Sequence, residues 1–254
     1  MDYHIALGGL IVGTLVGLSG VGGGSLMLPV LVLLFRVSPL VAVGTDLAYS
    51  VPTKILGAIV HRRQETMNAK LVFLLCVGGI PGSVLGIASL SYLKAHISID
   101  QLNLMLRHAI GILLILIAVA IIGVQLFSKQ RPSGQPLRPR AVLVVIVAFI
   151  VGFLVSVTSI GAGSITLTAL VLILPRMRLQ DLVGSDIAFA AVIVPISAVG
   201  HLTLGSINFP MTLSLLVGSL PGVYLGSRLC AKLPVKILRP AIAGVMALAG
   251  TRLL

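Results

Sequence analysis

Three charged side chains lie inside long apolar segments of the sequence, where a charge has the clearest chemical meaning. Asp46 and Asp186 occupy equivalent places in two similar segments, Gly-Thr-Asp and Gly-Ser-Asp. Lys54 has no counterpart, since Val194 stands at the equivalent position. A charge in an apolar medium is costly, so such residues usually serve a function. The carboxylates can take up a proton or a metal cation, and the ammonium group can hold an anion.

The two carboxylates leave two interpretations open. Thr, Ser and Asp are all good N-cap residues, and each Asp stands near the predicted start of an apolar helix. Alternatively, Thr45, Asp46, Ser185 and Asp186 gate a pathway or bind a coupling ion, either a proton or sodium.

Lys54 also has two interpretations. It precedes His61 by about 10 Å along a helix, so its side chain could extend to a membrane surface. It could equally pair with a bound anion. Asp46 is not its obvious partner within the helix, because the two residues are separated by about 12 Å and about 80° around the axis.

Two clusters of small residues interrupt apolar segments. The cluster Gly22-Gly23-Gly24-Ser25 in the first half corresponds to Gly161-Ala162-Gly163-Ser164 in the second half. Neither cluster has the spacing of a nucleotide-binding loop. Small residues allow close helix packing. Because the interruption recurs, we favour unwound backbone whose free amides and helix N-termini face an anionic solute. Gly22, Gly23, Gly24, Ser25, Lys54, Gly161, Gly163 and Ser164 are the predicted solute-binding residues.

The sequence gives little sign of proton transfer by histidine, of metal binding or of hydrolysis. His61 and His201 end equivalent helices and are more typical of helix termini than of proton shuttles, although we keep them with the gating group. No His, Cys, Asp or Glu cluster has metal-ligand spacing, and no Ser-His-Asp set suggests hydrolysis. The sequence therefore predicts no enzyme, no cofactor and no metal centre.

The composition indicates an all-α polytopic membrane protein. Hydrophobic residues make up 57% of the 254 residues and charged residues only 9%, against about 25% charged in a soluble protein. The net charge of +12 could suggest nucleic acid, but the basic residues lie in short connections between apolar segments. That placement is typical of charges that set membrane topology, so no nucleic-acid partner is predicted.

The chain contains an internal repeat. Matching segments recur in the same order about 140 residues apart, as in His61 with His201 and Asn68 with Asn208. The first repeat covers 1–127, a polar linker covers 128–140, and the second repeat covers 141–254. Each repeat begins with an interrupted opening segment. Three membrane spans follow in each, predicted at 41–60, 71–90 and 104–127, then at 182–200, 211–229 and 237–254.

Charge distribution favours one form of the opening segment. As a hairpin of two pieces, each about 20 Å long, it makes no net crossing, and the two repeats are inverted. As one broken helix it makes the repeats parallel. The hairpin places 13 of the 18 basic residues on one face, whereas the single helix divides them 7 against 10. The positive-inside rule therefore predicts inverted repeats, a cytoplasmic linker and both termini outside.

Taken together, these residues resemble the sulfite exporter TauE/SafE family. The resemblance rests on Gly20–Ser25 followed by Leu28-Pro29-Val30-Leu31, on the Gly-Thr-Asp-Leu segment, on His61 with Thr66-Met67-Asn68, and on their repeats in the second half. It covers essentially the whole chain. It implies a transporter of the bacterial or archaeal plasma membrane that exports sulfite, sulfoacetate or related anions. The family often has a small hydroxyl residue where Asp46 and Asp186 stand.

The sequence thus predicts a secondary transporter of a small anion, with alternating access between inverted repeats. A homodimer is compatible with this prediction. Three alternatives remain: an uptake permease, a passive channel for the anion, or a membrane-embedded assembly subunit that transports nothing.

Overall fold

The computed structural model describes residues 3–19, 24–127, 140–230 and 235–254, and it is built from helices. Its helical architecture confirms the predicted all-α fold. The helices are α1 (Tyr3–Ser19), α2 (Gly24–Leu33), α3 (Pro39–Arg63), α4 (Ala69–His96), α5 (Ile99–Phe127), α6 (Ala141–Thr158), α7 (Ile165–Ile173), α8 (Leu179–Thr203), α9 (Phe209–Cys230) and α10 (Val235–Leu253). The predicted linker 128–140 lies outside the described residues except for Arg140.

Among the described residues, five helices are long and apolar enough to cross a membrane: α4, α5, α6, α8 and α9. Large apolar side chains cover the outside of the bundle; Phe73, Val119 and Leu213 are each more than half exposed. A soluble protein would avoid an apolar surface of this extent, whereas lipid requires it. The chain is therefore a multi-pass membrane protein.

The opening segments are hairpins. At the start of α6, the Arg140 guanidinium donates a hydrogen bond to the carbonyl of Ile173 at the end of α7. In the first half, Gly8 of α1 lies against the ring of Phe35, which follows α2. Each second helix therefore returns to the end at which the first began.

The hairpin arms are unequal, so the prediction of two pieces of about 20 Å was wrong. The arms have 17 and 10 residues in the first half, and 18 and 9 in the second. The longer arms measure about 26 Å and the shorter arms about 14 Å. The glycine clusters thus lie beyond the centre of each opening segment.

The longer hairpin arms pack on the opposite half through glycine. The backbone of α6 passes so close to α4 that a Cβ atom at Gly82 would lie 2.1 Å from the Phe149 carbonyl oxygen. The equivalent pair, α1 and α9, meets in the same way, with Gly222 against the Leu10 carbonyl. Small residues permit this close approach, which gains dispersion energy where lipid removes the hydrophobic effect.

The central helices of the two halves, α3 and α8, run antiparallel. Near the start of α3, Gly44 lies against Ser206, which follows α8; after the end of α3, Thr66 lies against Gly184 near the start of α8. The last helices are also antiparallel, because Arg107 early in α5 donates to the Leu253 carbonyl at the end of α10. The Gly44–Ser206 and Thr66–Gly184 contacts join equivalent surfaces of the two halves. Such a contact is called isologous and is typical of a symmetric dimer.

Exposed basic residues gather where α3 ends and α8 begins. Because α3 and α8 are antiparallel and the second hairpin opens at the same end, this end carries Arg62, Arg63, Lys70, Arg140, Arg176 and Arg178. The opposite end carries Lys94, which donates to the Leu204 carbonyl, together with Arg107 and Arg252.

Candidate ion and solute site

The tip of the second hairpin is an irregular turn buried among the helices. Helix α6 ends at Thr158, and Ser159 then adopts a left-handed conformation with φ of 57°. Gly161 and Gly163 follow with φ of 143° and 100°, values that favour glycine. The glycine cluster is therefore used to reverse the chain, and this brings residues 159–164 against α3 and α8.

Asp46 contacts this tip from α3. Its side chain is fully buried, and its Oδ2 atom accepts a hydrogen bond of 2.6 Å from the Ser159 hydroxyl. The Oδ1 atom has no hydrogen-bond partner within the described part of the chain. Because α3 begins at Pro39, Asp46 lies within the helix, and the N-cap interpretation was wrong.

Asp186 contacts the same tip from α8. It is 2% exposed and lies beside the Thr166 hydroxyl and the backbone amide of Gly163. Its Oδ1 atom, like that of Asp46, has no partner among the residues that are described. Helix α8 begins at Leu179, so Asp186 is not an N-cap either. The tip thus lies between two buried carboxylates.

Lys54 is close enough to interact electrostatically with both carboxylates. It is partly buried, in the middle of a 25-residue helix. Arg178 and Asp181 form the only ion pair within 4.0 Å among the described residues. Lys54 therefore makes no direct ion pair with Asp46 or Asp186, although its charge affects both.

Ser164 occupies the N-cap position of α7 but does not cap it. Its side chain is 4% exposed and its hydroxyl oxygen has no partner in the described chain. The amides of Ile165 and Thr166 instead donate to the Gly161 carbonyl, at 3.0 and 3.1 Å. Two amides that were expected to be free for a solute are therefore already satisfied.

The first hairpin tip is only partly described. Gly24 and Ser25 form the first turn of α2, and Gly22 and Gly23 lie outside the described residues. The role of this cluster in binding remains a prediction.

Thr45 and Ser185 join the two halves, a contact that the sequence analysis did not foresee. The Ser185 hydroxyl accepts from the backbone amide of Asn68 at 3.0 Å, and the Thr45 hydroxyl accepts from the amide of Asn208 at 3.2 Å. Each bond ties a carboxylate-bearing helix to a connection of the other half. We call these two contacts the Asn68 clamp and the Asn208 clamp. In the sequence, the only sign of these contacts was that Asn68 and Asn208 occupy equivalent positions of the two repeats.

His61 and His201 form side-chain hydrogen bonds to the connections that follow α3 and α8. Their Nδ1 atoms lie 2.8 Å from the hydroxyls of Thr66 and Ser206 respectively. His201 is fully buried, and its Nε2 atom donates to the Ser156 carbonyl at 2.8 Å. These contacts hold each connection against the end of its helix, and a gating role for either histidine stays a prediction.

A buried tyrosine was missed. Tyr49 lies one helical turn from Asp46, is 1% exposed, and places its hydroxyl beside Ser219. The equivalent pair in the other half is apolar, with the Phe189 ring against Gly79. The available signal was that Tyr49 and Ser219 are polar whereas their equivalents, Phe189 and Gly79, are not. No group of three or more His, Cys, Asp or Glu residues that could hold a metal occurs among the described residues.

Known proteins resemble the whole chain. The family model described as Sulfite exporter TauE/SafE matches residues 5–253. The probable membrane transporter protein YjnA of Bacillus subtilis is 38% identical over 260 residues, covering 100% of both chains. YdhB of the same organism, with the same description, is 28% identical over 96% of each chain. MJ0441 of Methanocaldococcus jannaschii, also a probable membrane transporter protein, is 24% identical over 95% of this chain and 91% of its own. No solved structure matches significantly.

Proposed function

The chain belongs to the sulfite exporter TauE/SafE family, and on that premise we propose that it is a secondary transporter that exports a small anion. Sulfite or an organosulfur anion is the proposed substrate, as the family description suggests. The relatives described as probable membrane transporter proteins support transport across a bilayer.

Lys54 is the observation that carries the choice of an anion. It lies near the middle of α3, between the two halves, and no carboxylate of the described residues lies within ion-pair distance of it. Each carboxylate already has a hydrogen-bond donor beside it at the hairpin tip. An ammonium group in such a place is stabilised by a small anion, and sulfur oxyanions offer several acceptor oxygens.

The antiparallel pairs α3–α8 and α5–α10 support inverted repeats and alternating access. The Asn68 and Asn208 clamps lie at opposite ends of the α3–α8 pair and both are formed. We propose that they separate in turn, so that the site opens to one side at a time. The concentration of basic residues at the Asn68 end supports a cytoplasmic location for that end and for linker 128–140 in a bacterial or archaeal plasma membrane.

Flux in proteoliposomes tests the substrate class. The purified chain is reconstituted, loaded with radiolabelled sulfite or an alkyl sulfonate, and compared with empty liposomes. We expect efflux of at least one sulfur anion well above the empty-liposome rate. Absence of flux for every anion tried would contradict the proposal and favour an assembly subunit.

Imposed gradients separate a coupled transporter from a passive channel. The same liposomes are given either a pH or sodium gradient, or a potassium diffusion potential set by valinomycin. A coupled transporter concentrates anion against its own gradient when an ion gradient is imposed, whereas a channel follows only the anion gradient and the voltage.

A further inference from the structure

Two buried carboxylates flank the one ammonium group in the middle of α3 without forming an ion pair with it. Asp46 and Asp186 are 0% and 2% exposed. Lys54 interacts electrostatically with both of them, although neither carboxylate lies within 4.0 Å of its amine. An anion held by Lys54 therefore lies in the electric field of both carboxylates.

The two carboxylates act from opposite sides of Lys54. The Asn208 clamp involves the residue next to Asp46, and the Asn68 clamp involves the residue next to Asp186. The two clamps lie at opposite ends of the antiparallel α3–α8 pair. An anion that follows this pair across the membrane must therefore pass one carboxylate before Lys54 and the other after it, whichever direction it takes.

These three groups offer an anion at most one positive charge. Their formal charge is −1 when both carboxylates are ionised, and it becomes 0 or +1 when one or both take up a proton. No other basic side chain of the described residues acts on either carboxylate. In every protonation state, the site can neutralise no more than a single negative charge.

The other titratable side chains near the carboxylates do not alter this count. Tyr49, which interacts with Asp46, cannot become a cation, and its hydroxyl lies beside Ser219. His201 is fully buried toward the Asn208 end, and both of its ring nitrogens are engaged, by the Ser206 hydroxyl and the Ser156 carbonyl. Neither side chain offers a second positive charge to a solute at Lys54.

A second negative charge on the solute would remain without a partner. An unpaired charge is costly in apolar surroundings, and the carboxylates repel it. Repulsive groups directed against the wrong ligand are a general means of selection. We propose that the transported anion carries a single negative charge, as hydrogen sulfite and the alkyl sulfonates do, and that Asp46 and Asp186 exclude dianions. This inference rests on the proposed function and deepens it by naming the charge of the substrate and the residues that select it.

Methanesulfonate and sulfate test the selection directly. Both are sulfur oxyanions, but near neutral pH the first carries one charge and the second carries two. Their fluxes are compared in proteoliposomes whose membrane potential is held at zero by valinomycin with equal potassium on both sides. We expect methanesulfonate to move about tenfold faster than sulfate or more. Equal fluxes, or faster movement of sulfate, would overturn the proposal.

The pH dependence of sulfite flux gives an independent test. Sulfite loses its second proton near neutral pH, so acidification converts the dianion into hydrogen sulfite. After subtraction of the empty-liposome rate, we expect sulfite flux to rise as the pH falls, in proportion to the hydrogen sulfite present. Methanesulfonate flux, measured in parallel, corrects for the response of the protein itself. A corrected sulfite flux that follows the dianion would overturn the proposal.

Two variants locate the selecting groups. Asp46→Asn and Asp186→Asn each remove one negative charge, and each should raise the ratio of sulfate flux to methanesulfonate flux by about tenfold. Asp181→Asn is the matched control, because Asp181 lies on α8 like Asp186 but pairs with Arg178 near the start of that helix. Structural damage lowers both fluxes together and does not raise their ratio. An unchanged ratio in both variants would overturn the roles of Asp46 and Asp186.

The same measurements separate this inference from the proposed function. Absence of flux for both anions, and for sulfite, would overturn the proposed anion transporter and the charge selection together. Equal fluxes of methanesulfonate and sulfate, well above the empty-liposome rate, would overturn the charge selection alone.

Discussion

At the residue scale, the site depends on which hydrogen-bond donors the buried carboxylates of Asp46 and Asp186 contact. Asp46 has one hydrogen-bond donor on the described residues, the Ser159 hydroxyl, although it lies 113 positions away in the chain. Asp186 has the Gly163 amide and the Thr166 hydroxyl beside it. The carboxylates are therefore held by the hairpin tip, and neither is neutralised by Lys54 through a direct contact.

The substitution Ser159→Ala should destabilise the protein. It removes the donor to Asp46 and leaves a buried carboxylate with neither oxygen bonded, which costs about 1–3 kcal/mol or more. The free energy of unfolding in mixed detergent micelles measures the effect. Ser89→Ala is the control, because the Ser89 hydroxyl bonds only within its own helix, to the Leu85 carbonyl. Equal stabilities for the two variants would contradict the role of Ser159.

Residue types alone drew attention to Asp46, Ser164 and Asp186, but they did not predict which groups these side chains contact. Asp46 looked like an N-cap because Thr and Asp follow Gly44, whereas α3 begins seven residues earlier. Ser38-Pro39 was the better signal, since proline favours the first helical position. The contact of Asp46 with Ser159 could not be predicted, because it depends on how the two halves cross.

At the scale of elements, glycine decides which helices can touch. The apolar segments predicted the helices within a few residues, as in 41–60 against Pro39–Arg63 for α3. Their partners were not predictable, because the apolar sequence of a membrane helix is similar on every face. The close contacts depend on backbone geometry, as at Gly78, Gly82 and Gly86 along α4.

Gly82→Ala should separate α4 from α6 or unfold the pair. The new Cβ would lie 2.1 Å from the Phe149 carbonyl oxygen, so the helices must move apart, at a cost of several kcal/mol, about 3 or more. Gly123→Ala on α5 is the matched control, because nothing lies within 4 Å of its Cβ position. The control should be neutral or stabilising by about 1 kcal/mol. Thermal unfolding of both variants measures the difference, and equal losses would contradict the packing argument.

The two clamps should open independently. Thr45→Ala removes the acceptor for the Asn208 amide and should expose that connection, while the Asn68 clamp stays closed. A cysteine at Ile207, in a chain whose Cys76 and Cys230 are replaced by Ala, reports the change through its rate of labelling by maleimide. We expect faster labelling with Thr45→Ala and no change with Ser185→Ala. Equal acceleration by both substitutions would indicate general loosening of the bundle.

At the scale of the whole molecule, the proposed alternating access depends on the orientation of the two repeats. Corresponding helices that meet, α3 with α8 and α5 with α10, are antiparallel. The exposed basic residues of α3, α6 and the α7–α8 connection lie at one end. Repeat matching and charge counting predict inverted repeats because both use the chain as a whole, and this orientation stays a prediction. The unequal hairpin arms could not be predicted, since the glycine clusters do not fix where each helix resumes.

Cysteine labelling in intact cells tests the orientation. Gln64→Cys and Gln180→Cys lie at the basic end, whereas Ser98→Cys and Thr203→Cys lie at the other end, and all four positions are exposed. With Cys76 and Cys230 replaced by Ala, a membrane-impermeant maleimide should label positions 98 and 203 from outside. Positions 64 and 180 should react only after lysis. Labelling of 64 and 180 from opposite sides would contradict inverted repeats.

The most direct test of the central claim is sulfur-anion flux through the variant Lys54→Ala, compared with the wild type and with Lys70→Ala. Lys70 is an exposed basic residue at the start of the neighbouring helix α4, so its loss controls for net charge. If Lys54 holds the anion, its removal should lower the flux of radiolabelled sulfite by about 30-fold or more. Lys70→Ala should transport at the wild-type rate. Wild-type flux in Lys54→Ala would contradict the claim that Lys54 binds the transported anion.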